Sequence, residues 1–229
     1  MKVLAIDTSN WVMGIALMED SKVLGEYITN LPKNHSVRLM PCIEALLTEC
    51  GVKPSELDKI VVAKGPGSYT GVRIGVTIAK TLAWTLKIPL SGVSSLEVLA
   101  ANGRYFDGVL SPLFDARRGQ IYTGLYQYNG EELAEAVSDT NVLALDWAEQ
   151  LKNQERQVLF IGNDVPIHKE ALAAVMGSQA VFAPPALYNP RPSELAAIGM
   201  LKKDEDIHKF VPNYIRLAEA ESKWLEQQK

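Results

Sequence analysis

The chain has 229 residues, is 47% hydrophobic and 22% charged, and carries a formal net charge of −4 at pH 7. This length and composition suit one large folded domain or two small ones, and they exclude a disordered chain. The acidic balance argues against a nucleic-acid-binding surface of the usual basic kind. The sequence has no run of 18 apolar residues, so we expect no membrane span and a cytoplasmic protein.

The first half predicts three strands that are close enough in sequence to form an antiparallel meander. A helix follows, with Asn34 or Ser36 as its cap, and ends at Gly51. Apolar periodicity then alternates between strand and helix. The predicted strands are Lys2–Asp7, Trp11–Met18, Val23–Thr29, Lys59–Ala63 and Pro89–Val93, and the later helices are Val72–Leu86 and Leu96–Asn102.

After a boundary at Gly103 to Gly108, the same order of elements recurs. Asn129-Gly130 is a strong hairpin signal between two of the new strands. The predicted strands are Val109–Asp115, Gln120–Tyr128, Glu132–Val137, Gln157–Ile161 and Ala180–Ala183, and the helices run from Asp146 to Lys152, Ile167 to Met176 and Pro192 to Lys203.

Two consecutive β-β-β-α-β-α units predict an α/β protein with the two-lobed actin-like fold that sugar kinases and Hsp70 share. We place the N-terminal lobe at 1–103 and the C-terminal lobe at 104–210. The tail, 211–229, falls outside the duplication and contains a predicted helix over Glu219–Gln227. We expect that helix to pack back on the first lobe.

A glycine-rich segment, Gly65-Pro66-Gly67-Ser68-Tyr69-Thr70-Gly71, joins a predicted strand to a long helix. Such a junction can bind an anion on the helix amides. It can equally be a packing loop, because Gly71 and Gly75 lie one helical turn apart and permit close backbone contact. The segment matches neither nucleotide-binding fingerprint, because no Lys-Ser or Lys-Thr follows a glycine and Thr70 stands where a dinucleotide motif needs glycine. The candidate loop residues are Gly65, Gly67, Ser68, Thr70 and Gly71, with Asp7, Thr8 and Ser9 from the end of the first strand.

An ATP site in the actin-like fold needs two phosphate loops that combine an acid, glycine and hydroxyl groups. Asp7-Thr8-Ser9 has the acid and the hydroxyls but no glycine. In the second half, Arg117 and Arg118 occupy the turn after Asp115. We therefore expect no ATP hydrolysis by this chain alone. Asp7 can equally be a strand-end carboxylate that accepts backbone N–H bonds.

Metal, nucleophilic and redox chemistry have little sequence support. His35, His168 and His208 are far apart and form no H-x-x-x-H pattern, and we expect isolated histidines at the surface or at helix caps. Ser68 and Thr70 lack a G-x-S-x-G context. Cys42 and Cys50 lie about 12 Å apart on one helix, which is too far for a disulfide.

Two helices carry more apolar residues than one buried face requires. Val37 and Met40 lie off the main stripe of the helix before Gly51, and the helix from Val72 is apolar nearly all round. Either the two helices cover each other, or they form an interface with another chain. The residues assigned to such an interface are Leu39, Ile43, Leu46, Leu47, Val72, Val76 and Ala79.

Five segments in the same order resemble the bacterial TsaB (YeaZ) family, which takes part in tRNA threonylcarbamoyladenosine biosynthesis. They are Leu4-Ala5-Ile6-Asp7-Thr8-Ser9, His35-Ser36 with Pro41, Gly65 to Gly75, Asp115-Ala116-Arg117-Arg118-Gly119-Gln120-Ile121-Tyr122, and Val211-Pro212-Asn213-Tyr214-Ile215-Arg216 with Ala218-Glu219. The resemblance covers essentially the full chain.

The resemblance implies a non-catalytic partner of TsaD, the paralogue that transfers a threonylcarbamoyl group to N6 of the adenosine beside the tRNA anticodon. It also implies a TsaE-like ATPase as third component and indirect contact with tRNA. A homodimer is expected when the chain is alone. The resemblance places the shared surface on the helices from His35 to Cys50 and from Val72 to Leu86. No cofactor is expected in this chain, whereas ATP and metal are expected in the partner subunits.

Two other functions compete with this prediction. The chain could be a stand-alone nucleotide-binding ATPase or kinase-like enzyme, with its site near Asp7 and Gly65 to Thr70. A peptidase is disfavoured, because the zinc-binding histidines of the paralogues are missing.

Overall fold

The computed structural model describes residues 1–31, 34–152 and 156–215. Two five-stranded sheets have the same internal order, β3-β2-β1-β4-β5 and β8-β7-β6-β9-β10. In both, the first three strands pair antiparallel and the last two join in parallel. The strands are β1 (Lys2–Asp7), β2 (Val12–Glu19), β3 (Lys22–Asn30), β4 (Lys59–Ala63), β5 (Leu90–Val93), β6 (Val109–Asp115), β7 (Gln120–Asn129), β8 (Glu132–Leu143), β9 (Val158–Ile161) and β10 (Ala180–Phe182).

This duplicated topology confirms the predicted fold class. The helices are α1 (His35–Glu49), α2 (Tyr69–Leu86), α3 (Ser95–Ala100), α4 (Ala144–Leu151), α5 (Val165–Met176) and α6 (Pro192–Leu201). In the described ranges, four short 3-10 turns accompany them, at Pro54–Glu56, Ala101–Gly103, Gly177–Gln179 and Pro185–Leu187.

Each sheet is buried on both faces, which explains why its central strands are apolar without alternation. In β1, Leu4 and Ile6 pack beneath α1 and α2, while Val3 and Ala5 face α6. The second sheet is covered by α4 and α5 on one face and by α3 on the other.

The two inner helices each cross to the sheet formed by the other half of the chain. Helix α3 follows the first sheet in sequence but packs on β6 and β7. Helix α6 follows the second sheet but packs on β1, β2 and β4. The limits 1–103, 104–210 and 211–229 remain a prediction, and these two helices tie the halves together.

Local sequence signals explain where the helices begin. Asn34 caps α1 by accepting a hydrogen bond from Ser36 N, and Ser68 caps α2 by accepting one from Gly71 N. Asp146, which we predicted as the cap of α4, lies in its first turn instead, because the helix begins at Ala144. Strand β8 is longer than predicted, because β7 offers it a partner as far as Gln120.

After α6 the chain runs back along the first lobe. Glu205 N donates to Leu90 O over 2.8 Å, and Asn213 N donates to Lys64 O over 2.7 Å. Phe210 is buried in the core beneath α2. The predicted helix Glu219–Gln227 lies outside the described residues, as do Arg216, Ala218 and Glu219 of the tail motif.

Candidate functional site

The glycine-rich loop packs tightly against the turn that follows β1. A Cβ atom at Gly67 would lie 2.1 Å from Ser9 O, and one at Gly71 would lie 2.2 Å from Thr8 O. Thr8 Oγ1 donates to Gly71 O over 2.7 Å. These are the contacts that the packing interpretation of the loop requires.

The same contacts use polar groups that a phosphate would need. Ser68 N donates to Ser9 O over 2.7 Å, and Gly65 N donates to Ser95 Oγ over 3.1 Å. Ser68 Oγ accepts from Gly71 N. In contrast, Thr70 is exposed on the outer side of α2. The loop therefore presents few free donors toward the β1–β2 turn.

Asp7 is only 3% exposed at the end of β1. Its Oδ1 accepts from Ser9 N over 2.8 Å, which is the strand-end role considered above. Its Oδ2 has no hydrogen-bond partner in the described part of the chain, and the same is true of Ser9 Oγ and His35 Nδ1. Burial raises the pKa of the Asp7 carboxyl, and the hydrogen bond from Ser9 N opposes that rise.

The corresponding strand end in the second lobe carries a carboxylate–imidazole pair. Asp115 Oδ1 lies 2.9 Å from His168 Nε2, and Asp115 N donates to Asp164 Oδ2 over 2.9 Å. Burial raises the pKa of Asp164. Arg117 and the two residues after it adopt left-handed φ angles in the exposed turn beyond.

Sequence reasoning missed this pair. His168 is 5% exposed, so the expectation of a surface or capping histidine was wrong for it. The two partners are 53 residues apart in sequence, and the local pattern gives no signal that pairs them.

A second polar group links the two halves of the chain. Ser94 Oγ and Tyr126 Oη both donate to the Asp139 carboxylate. Ser94 also caps α3 by accepting from Leu96 N and Glu97 N. Burial raises the pKa values of both Asp139 and Tyr126. No local sequence pattern predicted the contact between Ser94 and Asp139.

The apolar residues assigned to an interface lie mostly in the core of this chain. Six of the seven residues are on the faces of α1 and α2 that are buried in the core. This corrects the prediction that their side chains face a partner. They are Leu39, Ile43, Leu47, Val72, Val76 and Ala79, while Leu46 is half-buried. The helices remain the candidate surface, but other residues form it.

The outer face of α1 and α2 has exposed apolar side chains and two cavities. Val37 is 69% exposed, Met40 43% and Trp84 65%. A cavity of about 450 Å³ lies near the start of α2, and its lining residues are Ser36, Tyr69, Thr70, Arg73, Ile74, Thr77 and Ile78. A second, of about 710 Å³, is lined by Met40, Leu82 and Leu86 among others. We call the two together the α1–α2 groove.

The described residues give no cluster of three or more His, Cys, Asp or Glu side chains suited to a metal ion. Within the same ranges, no helix is both long and apolar enough to cross a membrane.

The fold and these sites define the class as a two-lobed protein of the actin-like group. A ROK hexokinase from Thermus thermophilus matches the fold with a TM-score of 0.52 at 13% identity, over 88% of this chain and 99% of that one. The family model described as TsaD, tRNA N6-adenosine threonylcarbamoyltransferase, matches residues 22–224.

Within that broad group the chain belongs to the TsaB family. It is 60% identical over all 229 residues to the tRNA threonylcarbamoyladenosine biosynthesis protein TsaB of Bacillus subtilis, with both chains fully covered. The Escherichia coli TsaB is 36% identical over 60% of this chain and 62% of its own length. YeaZ from Pseudomonas aeruginosa matches with a TM-score of 0.78 and 26% identity, over 93% of this chain and 99% of that one.

Proposed function

We propose that this chain is a non-catalytic subunit that binds and activates a TsaD-like enzyme. That enzyme would transfer a threonylcarbamoyl group to N6 of the adenosine beside the tRNA anticodon. The supporting observation is the exposed apolar face of α1 and α2, where Val37, Met40 and Trp84 are exposed and Met40 lines an open groove. Large apolar patches of this kind are typical of protein–protein contact sites.

The β1–β2 turn supports a role without its own chemistry. The hydroxyl of Thr8 and the carbonyl of Ser9 are both bonded to the α2 N-terminus. A phosphate bound at this turn would have to displace those contacts. We infer that the chain holds no cofactor, and that ATP and metal belong to the partner subunits.

The remaining partners follow from the same proposal. A TsaE-like ATPase joins the pair of subunits, and tRNA contacts the complex chiefly through the catalytic subunit. In the absence of a TsaD-like protein, the apolar face would pair with a second copy of this chain, because its exposed Val37 and Trp84 favour burial.

An omission assay tests the proposal. Purified TsaD-like and TsaE-like proteins, the adenylate-forming enzyme, threonine, bicarbonate, ATP and tRNA are combined with and without this chain, and modified adenosine is counted. We expect modification to fall to background without the chain. Equal modification in both mixtures would refute the partner role.

One observation favours a second candidate, a nucleotide-binding enzyme. The buried Asp7 Oδ2 and Ser9 Oγ have no hydrogen-bond partner among the described residues, and both lie at a strand end of an actin-like fold. If Mg-ATP binds there, millimolar nucleotide should raise the melting midpoint of the isolated chain. An unchanged midpoint would remove this candidate.

A further inference from the structure

The chain after α6 is held firmly against α2 and directed toward the α1–α2 groove. Lys80 Nζ donates to Phe210 O over 2.6 Å, and Asn213 N bonds to Lys64 O. The Tyr214 ring then lies 5.0 Å from the Tyr69 ring, centroid to centroid. Because Tyr69 lines the first cavity of the groove, the described chain ends at its mouth.

The two cavities lie in line along α2. Ile74 and Ile78 line the first, and Leu82 and Leu86 line the second, one turn further along. At 1.5 Å per residue, α2 runs about 26 Å from Tyr69 to Leu86. An occupant that enters beside Tyr214 would therefore follow the helix for most of that length.

Residues 216–229 have the length and the pattern for this groove. Fourteen residues in helical form span about 21 Å. Leu217, Ala220 and Trp224 recur at the spacing of one helical face, and Leu225 borders it. Ser222 and Glu226 fall on the opposite face. The sequence thus offers one apolar stripe for the isoleucine and leucine side chains of α2 that line the groove.

We propose that residues 216–229 dock along the α1–α2 groove of their own chain and compete with the TsaD-like partner for it. This regulatory step rests on the proposed function, but the docking itself does not. A partner would have to displace the tail, so its apparent affinity would be reduced by the fraction of chains in which the groove is open.

The first test measures docking of the tail in the absence of any partner protein. Thr77→Cys places a thiol in the first cavity of the full-length chain, and its alkylation is followed by peptide mass spectrometry, which separates it from Cys42 and Cys50. Trp224→Glu should speed that labelling several-fold, because a charge on the apolar stripe opposes docking. Ser222→Glu adds the same charge to the opposite face and should leave the rate unchanged.

Equal labelling rates at Thr77→Cys in chains with the parental tail, Trp224→Glu and Ser222→Glu would overturn the proposal. The labelling is run at a protein concentration low enough to keep the chain monomeric, because the homodimer proposed above would cover the same face. Protection that disappears on dilution would overturn the proposal too, because a second copy rather than the chain's own tail would then cover the groove.

The second test measures the affinity of the full-length chain for the TsaD-like protein. Trp224→Glu should tighten it several-fold, while Ser222→Glu should not. If labelling responds but affinity does not, the competition is refuted. If the TsaD-like protein binds neither the parent chain nor any variant, the proposed function is refuted. The labelling experiment still tests whether the tail docks in the groove.

Discussion

At the scale of single residues, Asp7 shows how burial and hydrogen bonding oppose each other. One carboxylate oxygen accepts a backbone amide, whereas the other is buried without a hydrogen-bond partner among the described residues. Ser9 and His35 lower the pKa of Asp7, but burial outweighs them. A buried polar atom without a partner costs about 1–3 kcal/mol. The raised pKa of Asp7 follows from this, because the charged form loses more hydration than the neutral form.

Asp7→Asn should therefore raise the free energy of unfolding at neutral pH, by roughly 1 kcal/mol. The folded state of the parent chain binds a proton more tightly than its unfolded state. Its stability thus falls as pH rises from the unfolded pKa of Asp7 through the higher folded pKa. The advantage of Asp7→Asn should grow over that window and then stay constant.

Urea unfolding of both proteins across that pH range measures the difference. A loss of stability in Asp7→Asn at neutral pH would show that the ionised carboxylate is favourably held.

At Gly71, close packing rather than charge determines the expected effect of a substitution. Alanine is the better helix former by about 1 kcal/mol, but its Cβ would lie 2.2 Å from Thr8 O. Gly71→Ala should therefore destabilise the chain by about 1–3 kcal/mol. Thr85→Ala, at an exposed position of the same helix, should instead be neutral or slightly stabilising in thermal unfolding. A stabilised Gly71→Ala variant would contradict the close packing.

At the scale of elements, α2 has one face for its own core and another for solvent. Val76 is 3% exposed beneath it, so Val76→Arg should unfold the chain rather than probe an interface. Trp84, at 65% exposure, lies on the outer face. The choice of residue thus decides whether a substitution reports on folding or on binding.

Met40→Glu and Trp84→Glu should each weaken binding to the TsaD-like protein about tenfold or more, which corresponds to about 1.4 kcal/mol. Both should unfold at the midpoint of the parent chain. Leu145→Glu is the matched control, because it adds the same charge at an exposed leucine of α4. Calorimetric titration would measure all three, and unchanged affinity in both the Met40→Glu and Trp84→Glu variants would exclude this face.

At the scale of the whole molecule, the exchange of α3 and α6 makes each sheet dependent on the other half of the chain. The Asp139 carboxylate supports this exchange, since it joins β8 and β7 to the cap of α3 through Tyr126 and Ser94. The same carboxylate is buried enough for its pKa to rise.

Asp139→Ala should lower the free energy of unfolding by about 2 kcal/mol, because two hydroxyl donors would lose their acceptor. Glu135→Ala removes the same charge from an exposed position of β8 and should change stability by less than about 0.5 kcal/mol. Denaturant unfolding compares the two, and equal losses would mean that the Asp139 contacts contribute nothing.

Local signals were sufficient for the order of strands and helices, and they narrowed the cap of α1 to Asn34 or Ser36, of which Asn34 is the cap. They offered close packing at Gly71 as one of two interpretations of the loop. Each depends on a few neighbouring residues, because periodicity, capping and glycine geometry are short-range properties. The repeated order of elements was enough to predict the two-lobed fold, which the paired sheets confirm.

Tertiary structure decided the rest. An apolar helix residue such as Val76 has the same chemistry whether a sheet or another protein covers it, so the sequence could not tell core from interface. Which sheet α6 covers, and which histidine meets Asp115, depends on contacts across 50 or more residues. Helix α3 likewise packs on the strands that follow it rather than on the sheet that precedes it. Such contacts form only when both partners are already placed by the fold, and no local pattern encodes them.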